Sequence, residues 1–127
     1  MSLLYTLVNS PLDCRFPDLY RELGIEEERF DSARNLHQAL KQWRPDYFIG
    51  EFVYGWGNNY AGANVSNLDV TLRTLQPIAP QTKLIIVMRP SEEAHIGKLL
   101  ELFKVHAVLT YPIGEPAMRE ALQAVGG

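Results

Sequence analysis

Two uninterrupted apolar runs constrain this chain more than any other feature. Residues 3–8 read LLYTLV and stop at Asn9-Ser10-Pro11, and residues 83–88 read KLIIVM. Neither run alternates apolar with polar side chains, so neither suits a sheet with one wet face. A strand that is apolar throughout is covered on both faces, as in a parallel sheet held between layers of helix. Two further strands are expected at residues 47–53, just after Pro45, and at 105–110, just before Tyr111-Pro112. A short strand is expected at residues 29–33.

Helical spacing fills the intervals. Pro17 suits the first turn of a short helix, with Leu19, Tyr20 and Leu23 inward and Gly24 at its C-terminus. Leu36, Leu40 and Trp43 repeat at helical spacing beside Ala39, with Asn35 as the expected cap and Pro45 as the stop. Leu68, Leu72 and Leu75 mark a helix capped by Ser66 or Asn67 and ended by Pro77 and Pro80. Ser91 is the expected cap of the next, with Glu92 and Glu93 in its first turn and Ile96, Leu99, Leu100 and Phe103 inward. Pro116 opens a last helix with Met118, Ala121, Leu122 and Val125 facing in. Strand and helix alternate, which makes the fold class α/β. Five strands and five helices within 127 residues fit one domain. They suggest a three-layer, doubly wound, five-stranded parallel sheet of the flavodoxin-like order 2-1-3-4-5. Sites in such sheets form at the carboxyl ends of the strands. Here those ends are Asn9-Ser10, Glu51-Phe52, Met88-Arg89 and Thr110-Tyr111.

Charge narrows the function classes. The net charge is −3 and there is no basic run, so nucleic acid is not an expected partner. The run at residues 3–8 is too short to cross a membrane and lacks the charged start of a signal peptide. A single cysteine, Cys14, permits no disulfide within the chain and suits a reducing, cytoplasmic setting. Cys14 is not followed by Arg after five intervening residues, because Tyr20 stands in the place such a phosphatase loop requires and Arg21 comes one later. It reads as a small buried or half-buried side chain. His37 and His95 read as helix-surface residues and His106 as the opening of a strand. None has metal-ligand spacing, and no cofactor is expected.

Residues 33–51, ending in Pro45-Asp46-Tyr47-Phe48-Ile49-Gly50-Glu51, resemble the second helix and third strand of response-regulator receiver domains. His106-Ala107-Val108-Leu109-Thr110-Tyr111-Pro112-Ile113 resembles the family's fifth strand. The resemblance implies a magnesium site held by two acidic residues after strand one and an aspartate ending strand three that accepts a phosphoryl group. It also implies a strand-four Ser or Thr and a strand-five lysine. This chain carries Asn9 and Ser10 at the acidic positions, Glu51 at the acceptor, Met88 or Arg89 at the hydroxyl position and Tyr111 at the lysine. Every position departs from the pattern, so phosphotransfer is not expected. Glu51 is either a fixed imitation of the phosphorylated state or a solvated strand-end carboxylate that Arg89 could satisfy.

The glycine- and asparagine-rich segment from residue 54 to about 67 is longer than a receiver's loop at that place. Tyr54, Trp56 and Tyr60 stand in it as large rings that suit a binding surface. They either bind a partner or plug the vacant site. The expectation is a receiver-like domain that binds a protein without phosphorylation. By resemblance, the fourth helix, fifth strand and fifth helix form a partner or homodimer face that includes exposed residues at 93–104, Tyr111 and 115–120. The alternative is a small flavodoxin-like ligand- or nucleotide-binding domain with a strand-end pocket lined by Asn9, Glu51, Trp56 and Tyr111.

Overall fold

A computed structural model of the chain describes residues 2–8, 16–53 and 68–126. Five strands form one sheet: β1 (Ser2–Leu7), β2 (Ile25–Phe30), β3 (Tyr47–Glu51), β4 (Lys83–Met88) and β5 (Ala107–Thr110). All pairings are parallel and the order is β2-β1-β3-β4-β5. Five helices connect them: α1 (Pro17–Glu22), α2 (Ala33–Leu40), α3 (Asp69–Ile78), α4 (Ile96–Leu102) and α5 (Glu115–Gly126). This is the doubly wound, flavodoxin-like arrangement that the apolar strands imply. Among the described residues no helix is long and apolar enough to cross a membrane.

Strand alternation sends successive side chains to opposite faces. On one face Tyr5, Leu7, Phe48, Leu84, Ile86 and Met88 pack under α2, α3 and α4. On the other Leu4, Ile49, Ile85, Val87 and Tyr111 pack under α1 and α5. Gly50 lies on the first face, where a Cβ would stand 2.7 Å from the Phe48 ring and 3.1 Å from Leu68 Cδ2. Glycine there lets α3 approach the sheet.

The N-terminal edge of the sheet is tied together by Asp46. Its carboxylate Oδ2 accepts from the Leu3 N–H at 2.8 Å, its own N–H donates to Leu3 O at 2.8 Å, and its carbonyl accepts from Lys83 N–H at 3.0 Å. Thr82 Oγ1 donates to Pro45 O at 2.6 Å beside it. The aspartate of the Pro-Asp pair therefore joins β1, β3 and β4 where they begin.

Several elements differ from the sequence expectations. The second strand is Ile25–Phe30 rather than residues 29–33. Its three consecutive glutamates are poor strand formers, yet an edge strand leaves alternate side chains in solvent and charge there blocks unwanted pairing. It starts straight after Gly24, whose φ of 71° reverses the chain at the end of α1. Helix α2 is capped by Ser32, whose Oγ accepts from Asn35 N–H at 3.2 Å, and not by Asn35. It ends at Leu40, and Trp43 projects outward at 67% exposure instead of facing the core. Helix α3 runs past Pro77, because a proline in the final turn forgoes one bond while Ala79 N–H still reaches Leu75 O at 2.8 Å. Ser91 lies in a 3-10 turn, Pro90–Glu92, and α4 starts only at Ile96, so Leu100 faces solvent with Leu102.

Candidate functional site

The carboxyl ends of β3, β4 and β5 bring Glu51, Met88 and Tyr111 to one end of the sheet. Glu51 pairs in register with Val87, and Phe52 N–H donates to Val87 O at 2.8 Å just beyond it. By alternation Glu51 shares the face of Ile49, toward α1 and α5. It is only 3% exposed. This corrects the reading of Glu51 as a solvated carboxylate: β3 stays hydrogen-bonded to its last residue and carries the side chain inside. Arg89, by contrast, is exposed at the N-terminal edge of the 3-10 turn.

Tyr111 is also buried, at 7% exposure, which corrects its place among the exposed residues of a docking face. Its N–H donates to Met88 O at 2.8 Å, extending the β4–β5 ladder by one residue, and the Tyr111-Pro112 peptide is cis. The ring joins Val87, Met118 and Leu122 in the core between sheet and α5. The position that carries a lysine in receivers thus supplies apolar packing here. Met88 is buried on the opposite face, under α2, α3 and α4. Asn9, Ser10, Cys14, Tyr54, Trp56 and Tyr60 lie outside the described residues. Of the strand-end pocket expected in the alternative reading, Glu51 and Tyr111 are therefore the described members, and both are buried.

His106 opens the last strand as expected, whereas His37 is not a free helix-surface residue. His37 is half-buried between helices, its Nε2 3.2 Å from Thr71 Oγ1 on α3, and burial lowers its pKa. His106 precedes β5 and works as part of the sheet. Its N–H donates to Leu84 O at 2.9 Å, while its Nδ1 accepts from Leu84 N–H at 3.1 Å. The proton of the neutral ring is therefore on Nε2. Burial first, then the charges of Lys104 and Lys83, lower its pKa. Among the described residues no group of three His, Cys, Asp or Glu side chains is arranged to hold a metal ion.

Sequence reasoning missed two polar contacts that hold the site's scaffold. Thr6, buried in β1, donates through Oγ1 to Glu27 Oε2 at 2.8 Å, fastening edge strand β2. Arg119 on α5 bridges Glu22 at the end of α1 and Glu115 one turn back, at 3.0 Å for the latter. Strand and helix periodicity place Thr6 and Arg119 on the right faces, but nothing in the sequence names their partners.

No protein-family model matches the chain, and no curated protein matches it. Solved structures do. A response-regulator receiver domain from Clostridium thermocellum superposes with a TM-score of 0.73 at 14% identity, covering 98% of this chain and 94% of that one. The N-terminal domain of a response regulator/sensory box/GGDEF three-domain protein from Carboxydothermus hydrogenoformans gives 0.72 at 11% identity, covering 97% and 92%. The pilus assembly protein CpaE from Caulobacter crescentus gives 0.64 at 19% identity, covering 98% and 99%. The chain has the fold of a response-regulator receiver domain.

Proposed function

We propose that this chain is a receiver-fold module without phosphotransfer activity that works by binding a protein partner. The observation that carries the reading is the burial of Glu51 at 3% exposure in the acceptor position. A phosphoacceptor must be reached by both a phosphodonor and a hydrated magnesium ion. An inward glutamate at the last residue of β3 offers access to neither. Tyr111 supports the same reading, since a buried ring stands where a cation would neutralise the transferred group. The sequence adds neutral Asn9 and Ser10 in place of metal-binding acids.

Partner binding then proceeds from a fixed surface rather than a switched one. Helix α4 leaves Leu100 at 44% and Leu102 at 52% exposure, which favours the α4–β5–α5 side for a partner or a second copy. A fold neighbour named as a pilus assembly protein supports the use of this fold outside a response regulator. The test is affinity capture on the immobilised chain with and without acetyl phosphate and magnesium, repeated with Leu100→Asp/Leu102→Asp. The expected result is the same captured protein with or without the phosphodonor and its loss in the double variant. Capture that depends on the phosphodonor overturns the reading.

A further inference from the structure

One residue closes the start of the β4–β5 pairing from two sides. His106, just before β5, donates its N–H to Leu84 O at 2.9 Å, and its ring Nδ1 accepts from Leu84 N–H at 3.1 Å. Backbone groups along a central strand turn alternately toward its two neighbours. Lys83 N–H is taken on the β3 side by Asp46 O at 3.0 Å, so Leu84 N–H faces β5. In a continuing parallel ladder the carbonyl of Lys104 would accept it. That carbonyl accepts instead from Gln76 Nε2 on α3, at 3.4 Å. An imidazole nitrogen therefore stands where a ladder ordinarily has a peptide oxygen.

The exchange of acceptor makes this one bond depend on a proton. A peptide oxygen accepts at any ordinary pH, whereas Nδ1 accepts only while unprotonated. In the imidazolium both nitrogens donate, and Nδ1–H would meet Leu84 N–H. The ring is exposed and has solvent to turn into, while Leu84 is 1% exposed and its amide is left without an acceptor. The charges acting on the ring are Lys104 on its own segment and Lys83 on β4, both opposing the imidazolium after burial. Its neighbour from α3, Gln76, is neutral. The other imidazole has no such sensitivity. His37 Nε2 faces the hydroxyl of Thr71, which can donate or accept and so suits either state of the ring.

We infer that His106 is a proton-operated latch on edge strand β5: the neutral ring holds the β4–β5 ladder closed at its start, and the protonated ring frees Leu84 N–H and opens that end alone. β5 is suited to local opening, being four half-buried residues paired on one side only. The other side of β4 lacks the device, since Lys83 N–H and Phe52 N–H cross between β3 and β4 as bonds with backbone carbonyls, those of Asp46 and Val87. β5 belongs to the α4–β5–α5 side that the proposed function gives to a partner, so opening it alters that surface. The latch itself does not depend on that reading.

Amide hydrogen exchange followed by NMR on the full chain tests this from about pH 8 to about pH 5, with the His106 ring titrated in the same samples. After correction for the intrinsic pH dependence of exchange, Leu84 protection is expected to be constant above about pH 6.5. Below it, protection is expected to fall by up to about tenfold per pH unit, while Lys83 and Phe52 amides keep theirs. His106→Asn, whose side-chain oxygen can accept from Leu84 N–H without titrating, is expected to hold Leu84 protection level across the range. His106→Ala is expected to lack it throughout. Leu84 protection that stays unchanged as the ring titrates overturns the inference. The same acid loss in His106→Asn overturns it too. So does simultaneous loss at Leu84, Lys83 and Phe52, which is unfolding of the sheet and not release of a latch. The comparison of three amides within the wild type requires no variant to fold.

Discussion

Single residues in this chain have roles that their chemistry permits and their neighbours decide. Gly50 is the tightest case. A methyl group there meets the buried Phe48 ring at 2.7 Å and Leu68 at 3.1 Å, and neither can swing into solvent. Gly50→Ala is expected to cost about 1–3 kcal/mol by overpacking. Urea unfolding would show it as a lowered midpoint, and an unchanged midpoint would contradict this packing. Asp46 illustrates what the sequence conceals. The Pro45-Asp46 pair is legible as the entry to β3, but nothing in it says that the carboxylate caps the Leu3 N–H across the sheet. Removing that one bond in Asp46→Ala is expected to cost about 1 kcal/mol, read from the same unfolding curves. Glu51 and Tyr111 were legible as departures from a motif. Their burial was not, because alternation gives a face and not a depth.

At the scale of elements, helix α2 and strand β5 each rest on a side chain that completes a backbone pattern. Ser32 caps α2 by accepting from Asn35 N–H, so Ser32→Ala is expected to cost about 1 kcal/mol while Asn35→Ala leaves that cap intact. Equal losses from both substitutions would contradict the assignment. The two residues stand three apart and both are good caps by type, which is why sequence alone chose the wrong one. At β5 the His106 ring takes the Leu84 N–H, a bond that requires a neutral Nδ1. His106 and His37 both have pKa values lowered by burial, and Lys104 and Lys83 push His106 further the same way. The unfolded chain therefore binds protons first as pH falls below about 6.5. Stability from these groups is complete above that value and is lost as pH drops through the folded-state values. Urea midpoints measured across this range are expected to fall with acid, and less steeply in His106→Ala. An identical acid slope in the variant would contradict the role given to His106.

At the scale of the whole molecule, topology was the most legible property and the partner surface the least. Unbroken apolar runs at β1 and β4 admit hardly any arrangement except a parallel sheet covered on both faces, and the observed order β2-β1-β3-β4-β5 is the one they suggest. The edge strand β2 escaped because an edge does not need apolar side chains. Helical spacing continues through Trp43 and predicts it inward, whereas α2 stops at Leu40. The chain shares its fold with a receiver domain over 98% of its length at 14% identity, and Glu51 and Tyr111 at the carboxyl end of the sheet are both buried. Restoring one residue should not restore chemistry that needs an acceptor, a metal and a cation together. The most direct measurement is intact-mass spectrometry of the wild type and of Glu51→Asp after incubation with acetyl phosphate and magnesium. Neither protein is expected to gain the mass of a phosphoryl group. A stoichiometric gain in the wild type would contradict the loss of phosphotransfer, and a gain in Glu51→Asp alone would show that the rest of the site is intact and that Glu51 is all that silences it.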